Sequence, residues 1–342
     1  MNKPDFLAMP NTNPEQIYRL RDSSYANDLF IAAIAFLDIF NVINKASLNF
    51  TDLCSALQIK KRPGDVLVTL LKSYGFISEV DSLFILTHLS EDFLIGDSQF
   101  DLSSYVDSLK DRPICIEMQK VLKTGKPINW SSKKAGRDWA SSMSDEEFAE
   151  SFTKCQNSRG VYLANGIINC IDFSKRKRIL DIGGSSGIYS AVLLDKYPNL
   201  SASVFEPPPV DKATQYFINK NSIKNMDVIQ GDMFENNFPE NYDIHLISHV
   251  LHDWDINSVE KILSNSYKSL DTGGKLIIHD AHINENKDGP VSVAEYSVLL
   301  MASTYGKCYS IMELKEILKK IGFRNIKFQN TFVNRSVITA EK

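Results

Sequence analysis

The chain has 342 residues, of which 43% are hydrophobic and 23% charged, a balance that is ordinary for a globular protein and long enough for two domains. Its formal net charge of -4 gives no general attraction to nucleic acid or to an anionic membrane, so neither is expected as a partner. The five cysteines are scattered and form no CxxC pair, which argues against a disulfide framework and predicts a reducing, cytoplasmic location.

The N-terminal region contains the most apolar run of the chain. Residues 1–16 lack the apolar core of a signal peptide, and Leu29–Ile43 is too short to span a bilayer and carries Asp38. We predict one helix over Asn27–Ile43 that is apolar on nearly every face. Because a helix of this kind needs partners on all sides, we expect it to be buried between the subunits of a homodimer.

The next segments predict two helices and a hairpin. Thr51 is a plausible N-cap for a short helix, and Gly64–Phe76 predicts a second helix that ends at Gly75. A hairpin follows that turns at Asp81-Ser82. Two helices followed by a hairpin are the winged-helix order.

A transcriptional regulator would place the second of these helices on DNA. Lys72 is the only basic residue of that helix, so its sequence favours an interface with protein over one with DNA.

The pattern changes from helical to alternating after Lys175. Residues 101–171 are helical in pattern, with an aromatic-rich segment at 128–139. Short β-rich runs then alternate mostly with helical stretches, at Arg178–Asp181, Ala202–Phe205, Asp227–Gln230, Asp243–Ile247 and Lys275–His279. Such alternation predicts an α/β domain with a parallel, doubly wound sheet.

The strongest local motif is a glycine-rich turn, ILDIGGSSG over 179–187, between a strand and a helix. A P-loop would need Gly-Lys-Ser/Thr at its end, and a dinucleotide fingerprint would need a glycine at Ser185. Asp181 would also repel a pyrophosphate. A cofactor with a cationic centre and no phosphates, such as S-adenosylmethionine, suits Asp181, Gly183 and Gly187 better. The alternative that this is a tight strand-to-helix turn that binds no ligand stays open.

Two further strand ends carry candidate cofactor residues. Glu206 closes the second strand of the sheet, where Rossmann-like proteins hold a ribose diol. The tripeptide Gly231-Asp232-Met233 follows the third strand and offers an adenine a carboxylate and an apolar surface. A simple turn explains that tripeptide equally well.

Five of the six histidines lie between residues 245 and 282. This invites a metal hypothesis, but the neighbourhood has no cysteine ligand and no HExxH helix, so we expect no metal. His245 and His279 fit core positions. His252 lies beyond the fourth strand of the sheet in a polar turn, where such folds place their chemistry.

Together these motifs resemble those of the small-molecule O-methyltransferases of the caffeate, acetylserotonin and hydroxyneurospongene type. The resemblance spans nearly the whole chain, through the winged-helix order, LDIGGSSG, FEPPPV, GDMF, VLHDW and GGKLIIHDA, of which VLHDW is the most specific. It implies a Rossmann-like seven-stranded methyltransferase sheet preceded by a mainly helical winged-helix dimerisation domain, a homodimer and S-adenosylmethionine. The implied segments are 1-100 for dimerisation, 101-172 for a helical linker and substrate-pocket region, and 173-342 for the cofactor.

The resemblance also implies roles for individual residues. Cofactor contacts fall on Gly183, Glu206, Asp232, Met233 and Ser248. His252 matches the general base that takes the proton from a phenol or enol hydroxyl, and Asp280 matches a glutamate that orients this base. A histidine with an ordinary pKa near 6.5 suits that role at neutral pH, and no metal is required.

One departure from the family pattern concerns the acceptor. Where relatives commonly carry Gly-Gly-Lys/Arg-Glu-Arg-Thr, this chain has YGKCYS over 305–310, so Cys308 replaces a second acid that flanks the base. Methylation of a hydroxyl on an aromatic or polyketide-like molecule is therefore one prediction. Methylation of carbon or nitrogen, and a catalytically silent cofactor-binding protein, stay open. The predicted pocket contains Met301, Tyr305 and Cys308, with segments 127–143, 151–163 and 293–303.

Overall fold

The computed structural model describes residues 4–128 and 142–342. The chain divides into two compact units. One comprises Met1–Pro14, Trp139–His282 and Ile311–Lys342, and the other comprises Glu15–Asp138 and Ile283–Ser310. These units differ from the three predicted segments, 1-100, 101-172 and 173-342, because the chain leaves the sheet-containing unit after residue 282 and returns at 311. The functional labels of those segments stay predictions.

The elements of the helical unit are α1 (Glu15–Asp22), α2 (Ala26–Ala35), α3 (Ile39–Lys45), α4 (Phe50–Ala56), α5 (Lys61–Ser73), β1 (Ile77–Val80), β2 (Leu83–Leu86), α6 (His88–Phe93), α7 (Ser103–Asp107) and α8 (Pro113–Thr124). The described elements of the sheet-containing unit begin with α9 (Glu146–Ile168), β3 (Arg178–Ile182), α10 (Ile188–Lys196), β4 (Ser201–Glu206), α11 (Val210–Lys220), β5 (Met226–Gln230) and β6 (Tyr242–Ser248). They continue with α12 (Ile256–Ser269) and β7 (Leu270–Asp280). The chain then forms α13 (Val291–Ser303) in the helical unit. It ends in the sheet-containing unit with α14 (Ile311–Ile321), β8 (Arg324–Asn330) and β9 (Ser336–Glu341).

The predicted single helix over Asn27–Ile43 is wrong, because the chain breaks between α2 and α3. Asp38 has a φ of 51°, in the left-handed region that ends a helical run. Most of α2 is buried within one chain, where it packs against α5, α7, α8 and α13, so this helix does not by itself indicate a subunit interface. Its apolar faces therefore find partners without a second subunit.

The winged-helix order is present as α4, α5 and the β1–β2 hairpin. Asn49, rather than the predicted Thr51, caps α4, since its side chain accepts a hydrogen bond of 3.0 Å from Asp52 N. The predicted turn of the hairpin is confirmed: Asp81 and Ser82 have φ values of 49° and 64°, as a two-residue turn of the twisted type requires.

The sheet has seven strands in the order β5-β4-β3-β6-β7-β9-β8. Strands β3 to β7 pair in parallel, and β9 runs antiparallel to both of its neighbours. Each of the five β-rich runs predicted from the sequence lies within one of the parallel strands, so the predicted doubly wound sheet is confirmed. Strands β3 and β6 are buried along nearly their whole length, as expected for central strands of a sheet that is covered on both faces.

Among the described helices, none is by itself long and apolar enough to cross a bilayer. The stretch Glu15–Ala35 together with Ile39–Lys45, bent by 52° at the break, meets the criteria of length and composition.

Candidate functional site

The carboxyl ends of the parallel strands meet at one edge of the sheet. Between β3 and β6 the strand order reverses direction, which is where open α/β sheets form ligand crevices. A cleft lies at this edge, and its lining includes Gly183, Ser185, Glu206, Met233, Ser248 and Asp253. It therefore contains four of the seven predicted cofactor residues.

The glycine turn between β3 and α10 brings backbone into the cleft. Gly183 and Gly187 have φ values of 69° and 71°, which side chains rarely adopt. A Cβ at Gly183 would also lie 2.9 Å from Cγ2 of Val250. Glycine is needed at both positions, although only Gly183 lines the cleft.

Two buried carboxyl groups flank this turn. The backbone N–H of Ser185 donates a 2.6 Å hydrogen bond to Oε1 of Glu206, and burial raises the pKa of Glu206 to about 8. Burial likewise raises the pKa of Asp181 to about 6, and its Oδ2 accepts a 2.7 Å hydrogen bond from Oγ of Ser190. A Cβ at Gly184 would lie 2.5 Å from Cγ of Asp181, so this predicted cofactor residue lies beneath the turn rather than in the cleft.

The loop after β5 contributes one of its two predicted residues to the cleft. Met233 lines it, and its Cε would lie 3.4 Å from a Cβ at Gly183. Asp232 is half-buried and accepts a 2.7 Å hydrogen bond at Oδ1 from the backbone N–H of Phe234. Asp232 therefore stabilises its own loop.

His252 and Asp280 form a buried pair. His252 lies in the short 3₁₀ turn after β6, Asp280 ends β7, and Nδ1 of the imidazole is 2.5 Å from Oδ1 of the carboxylate. Burial alone would raise the pKa of Asp280, but the charge and hydrogen bond of His252 outweigh it and lower that pKa. The carboxylate thus fixes the orientation of the ring through Nδ1.

Asp253, which follows His252 in the sequence, lines the cleft. Nε2 of His252 is 3.7 Å from Oδ1 of Asp253, a cleft residue whose pKa burial raises to about 6. The structure therefore brings together the two predicted catalytic residues, which lie 28 positions apart in sequence. The pair adjoins Asp253, which lines the cleft.

His249 was missed by the sequence analysis. It has a φ of 56°, lines the cleft next to Ser248, and burial holds its pKa well below the ordinary value. Among the described residues, neither of its ring nitrogens nor Oγ of Ser248 has a hydrogen-bond partner. The only sequence signal was its place in SHVLHDW, because a left-handed residue at a strand end follows no periodic pattern.

The core assignments of His245 and His279 agree with their surroundings. Nδ1 of His245 lies 2.9 Å from Oγ of Ser266, and Nε2 of His279 lies 3.0 Å from Oγ1 of Thr331. Burial lowers the pKa of each to about 3, so both rings are neutral near pH 7.

The predicted acceptor residues Met301, Tyr305 and Cys308 belong to the helical unit. Met301 and Cys308 are buried, and Tyr305 is 40% exposed. The guanidinium of Arg62 donates hydrogen bonds to four backbone carbonyls around this segment, those of Gly125, Met301, Thr304 and Gly306, at 2.8–3.2 Å. Residues 129–141 of the predicted pocket lie outside the described residues.

The predicted segment 151–163, on α9, contributes to two cavities. Phe152, Gln156 and Arg159 line the cleft. Thr153 and Asn157 line a larger cavity of about 420 Å³ between α9 and α11.

Comparison with known proteins finds a matching family and several similar proteins. A family model described as an O-methyltransferase domain matches residues 117–324. The chain is 28% identical over 188 residues to the acetylserotonin O-methyltransferase of Gallus gallus, an alignment covering 55% of this chain and 54% of that protein, so it spans about half the length of this relative. It is 25% identical over 311 residues to the L-tyrosine C(3)-methyltransferase of Streptomyces lavendulae, covering 88% of this chain and 84% of the relative.

A solved structure with the same fold is that of an O-methyltransferase family 2 protein from Planctomyces limnophilus DSM 3776 in complex with apigenin. It matches with a TM-score of 0.89 and 25% identity, and the match covers 100% of each chain. The predicted fold class is confirmed by this likeness and by the seven-stranded sheet.

Proposed function

Because the chain belongs to the O-methyltransferase domain family, we propose that it transfers the methyl group of S-adenosylmethionine to a hydroxyl of a small aromatic or polyketide-like molecule. The family resemblance and the methyltransferase class predicted from the sequence are confirmed by the matched family model. The observation that carries the proposed chemistry is the 2.5 Å pair of His252 and Asp280 beside the cleft.

The described residues of the cleft fit the cofactor. Gly183 lets a ligand approach the backbone where a Cβ would intrude, and Glu206 offers a carboxyl group to a ribose diol. Oγ of Ser248 is buried at the cleft without a hydrogen-bond partner among the described residues, as expected for a group that awaits a polar ligand. When bound, the cofactor supplies an electrophilic methyl group on a sulfonium.

The proton is the part of the reaction that this chain's residues handle. Nε2 of His252 accepts the hydroxyl proton of the acceptor, and Asp280 holds the ring by Nδ1 and stabilises the cation that forms. A positioned base of this kind contributes about 100- to 10,000-fold to a rate. The buried setting of both residues keeps water away from the pair.

The test is His252→Ala in the full chain, assayed with labelled S-adenosylmethionine against a panel of phenols. We expect turnover to fall by about 100- to 10,000-fold while S-adenosylhomocysteine still binds in calorimetry. The control is His88→Ala, which removes an exposed histidine paired with Glu91. Wild-type turnover in His252→Ala would leave this histidine as a packing residue and refute its role as base.

Methylation of carbon is the second candidate. Cys308 replaces the expected acid, and a relative of similar length acts at C(3) of L-tyrosine. A neutral thiol does not supply the negative charge of a carboxylate, so this replacement favours an acidic hydroxyl or an activated ring carbon as the acceptor. Product NMR distinguishes C–CH₃ from O–CH₃. A gain in catechol methylation by Cys308→Glu would favour an ordinary phenol methyltransferase.

We also propose a homodimer, on the basis of the family resemblance and of exposed apolar side chains in the helical unit. Ile17, Leu20 and Tyr105 of the helical unit are 70–78% exposed, and exposed apolar groups of this kind favour an interface. Light scattering at micromolar concentration should give about twice the 38.6 kDa of one chain. A mass equal to one chain would refute the dimer.

A protein that binds the cofactor but transfers no methyl group to any acceptor would favour the third alternative, a catalytically silent cofactor-binding protein.

A further inference from the structure

Three buried donor side chains converge at the ends of β6 and β7. They are His249, His252 and Asp280, and their ligand atoms all lie within 4.8 Å of one another. Nδ1 of His249 is 3.4 Å from Oδ1 of Asp280, and Nδ1 of His252 is 2.5 Å from the same oxygen. Donors around a tetrahedral zinc ion lie about 3.3 Å apart, as bonds of about 2.0–2.1 Å require, and the separations here, from 2.5 Å to no more than 4.8 Å, bracket that value.

His249 provides an independent sign of a missing ligand. Its side chain is almost wholly buried, yet both ring nitrogens lack a hydrogen-bond partner among the described residues. Buried polar atoms in folded proteins are nearly always satisfied, so an unsatisfied imidazole indicates a ligand that it meets in solution. Because His249 also lines the cleft, an ion held by this ring has a path to solvent.

We propose that His249, His252 and Asp280 form a site for a divalent transition-metal ion of the Zn²⁺ type, and that this ion competes with methyl transfer. Two imidazoles and one carboxylate are the donor set that such ions prefer. The positive charges of Arg159 and Arg335 act on His249, so an ion held by charge alone is disfavoured. Mg²⁺ and Ca²⁺, which require oxygen ligands, therefore do not fit.

The ion takes the place of the proton that lies between Nδ1 of His252 and Asp280, and the neutral ring keeps its single proton, which moves by exchange with solvent from Nδ1 to Nε2. An imidazole bound to metal through Nδ1 keeps its remaining proton on Nε2, where no lone pair is left to accept the proton of a hydroxyl. Metal occupancy therefore blocks the base. This inhibition rests on the proposed function of His252, whereas metal binding itself does not.

The binding experiment is a titration of chelator-treated full-length protein with Co²⁺, followed by its visible absorption and by competition with Zn²⁺. We expect one equivalent to bind, and His249→Ala to lose about 100-fold or more in affinity. His88→Ala, which removes an exposed histidine, should bind as wild type does, and Mg²⁺ should not compete. Equal affinity in wild type and His249→Ala would overturn the site, as would the absence of any tetrahedral cobalt spectrum.

Circular dichroism checks that the variant folds, and His249→Asn provides a second, polar replacement if His249→Ala does not. Zn²⁺ should then inhibit wild-type methyl transfer and have little effect on the residual activity of the variant. A protein that binds Co²⁺ through His249 but transfers no methyl group would retain the metal site and refute the proposed function. Zinc inhibition of equal strength in both proteins would refute the competition.

Discussion

Replacing Glu206 by Gln should change how the stability of the protein depends on pH. Burial raises the pKa of Glu206 from 4.5 to about 8. The unfolded chain releases this proton near pH 4.5, whereas the folded chain keeps it until about pH 8. Between these values the folded state binds more protons, so this group's contribution to the free energy of unfolding falls as the pH rises.

The magnitude follows from integrating the proton difference between pH 6 and pH 8. Each pH unit with one extra proton on the folded state costs about 1.4 kcal/mol, and half-titration near pH 8 reduces the total to about 2 kcal/mol. Buried histidines act in the opposite direction, because the lowered pKa values of His245 and His279 make stability fall as the pH drops below about 6.5. Only the difference in the free energy of unfolding between wild type and Glu206→Gln isolates the contribution of the Glu206 carboxyl group.

The assay is urea unfolding of both proteins at pH 6 and pH 8. The stability of Glu206→Gln relative to wild type should increase by about 2 kcal/mol between these values. Asp172→Asn is the control, since Ser174 lowers the pKa of this exposed carboxyl and it titrates outside the window. Parallel pH profiles for wild type and Glu206→Gln would refute the raised pKa.

Three further substitutions test the turn, the catalytic pair and the helical unit. Gly183→Ala should cost about 1–2 kcal/mol in urea unfolding, because of the positive φ and the contact with Val250, whereas Gly96→Ala, with open space around its Cβ, should cost less. Asp280→Asn should lower turnover by about 100- to 10,000-fold with S-adenosylhomocysteine affinity retained in calorimetry; unchanged turnover would separate Asp280 from the base. Arg62→Lys should lose about 1.5–3 kcal/mol of stability, since one ammonium cannot bind four carbonyls; a melting temperature equal to wild type would contradict this.

The sequence by itself determined the parallel part of the sheet and the positions of most candidate residues. The runs at β3 to β7 are short, apolar and separated mostly by helical patterns, so local periodicity was sufficient to find them. The glycine turn and VLHDW are likewise local, because a positive φ at Gly183 and a polar turn after a strand are properties of neighbouring residues. His252 and Glu206 could therefore be named as candidate residues before any contact was known.

Only the tertiary structure decided which of these residues meet. The 2.5 Å pairing of His252 with Asp280 joins two strand ends, and the burial of Asp181 beneath the turn follows from the path of the backbone above it. The break at Asp38 and the unsatisfied ring of His249 both involve left-handed residues that no periodic pattern reveals. Such features depend on packing between segments distant in sequence, because burial, and with it the pKa of each group, is a property of the folded chain.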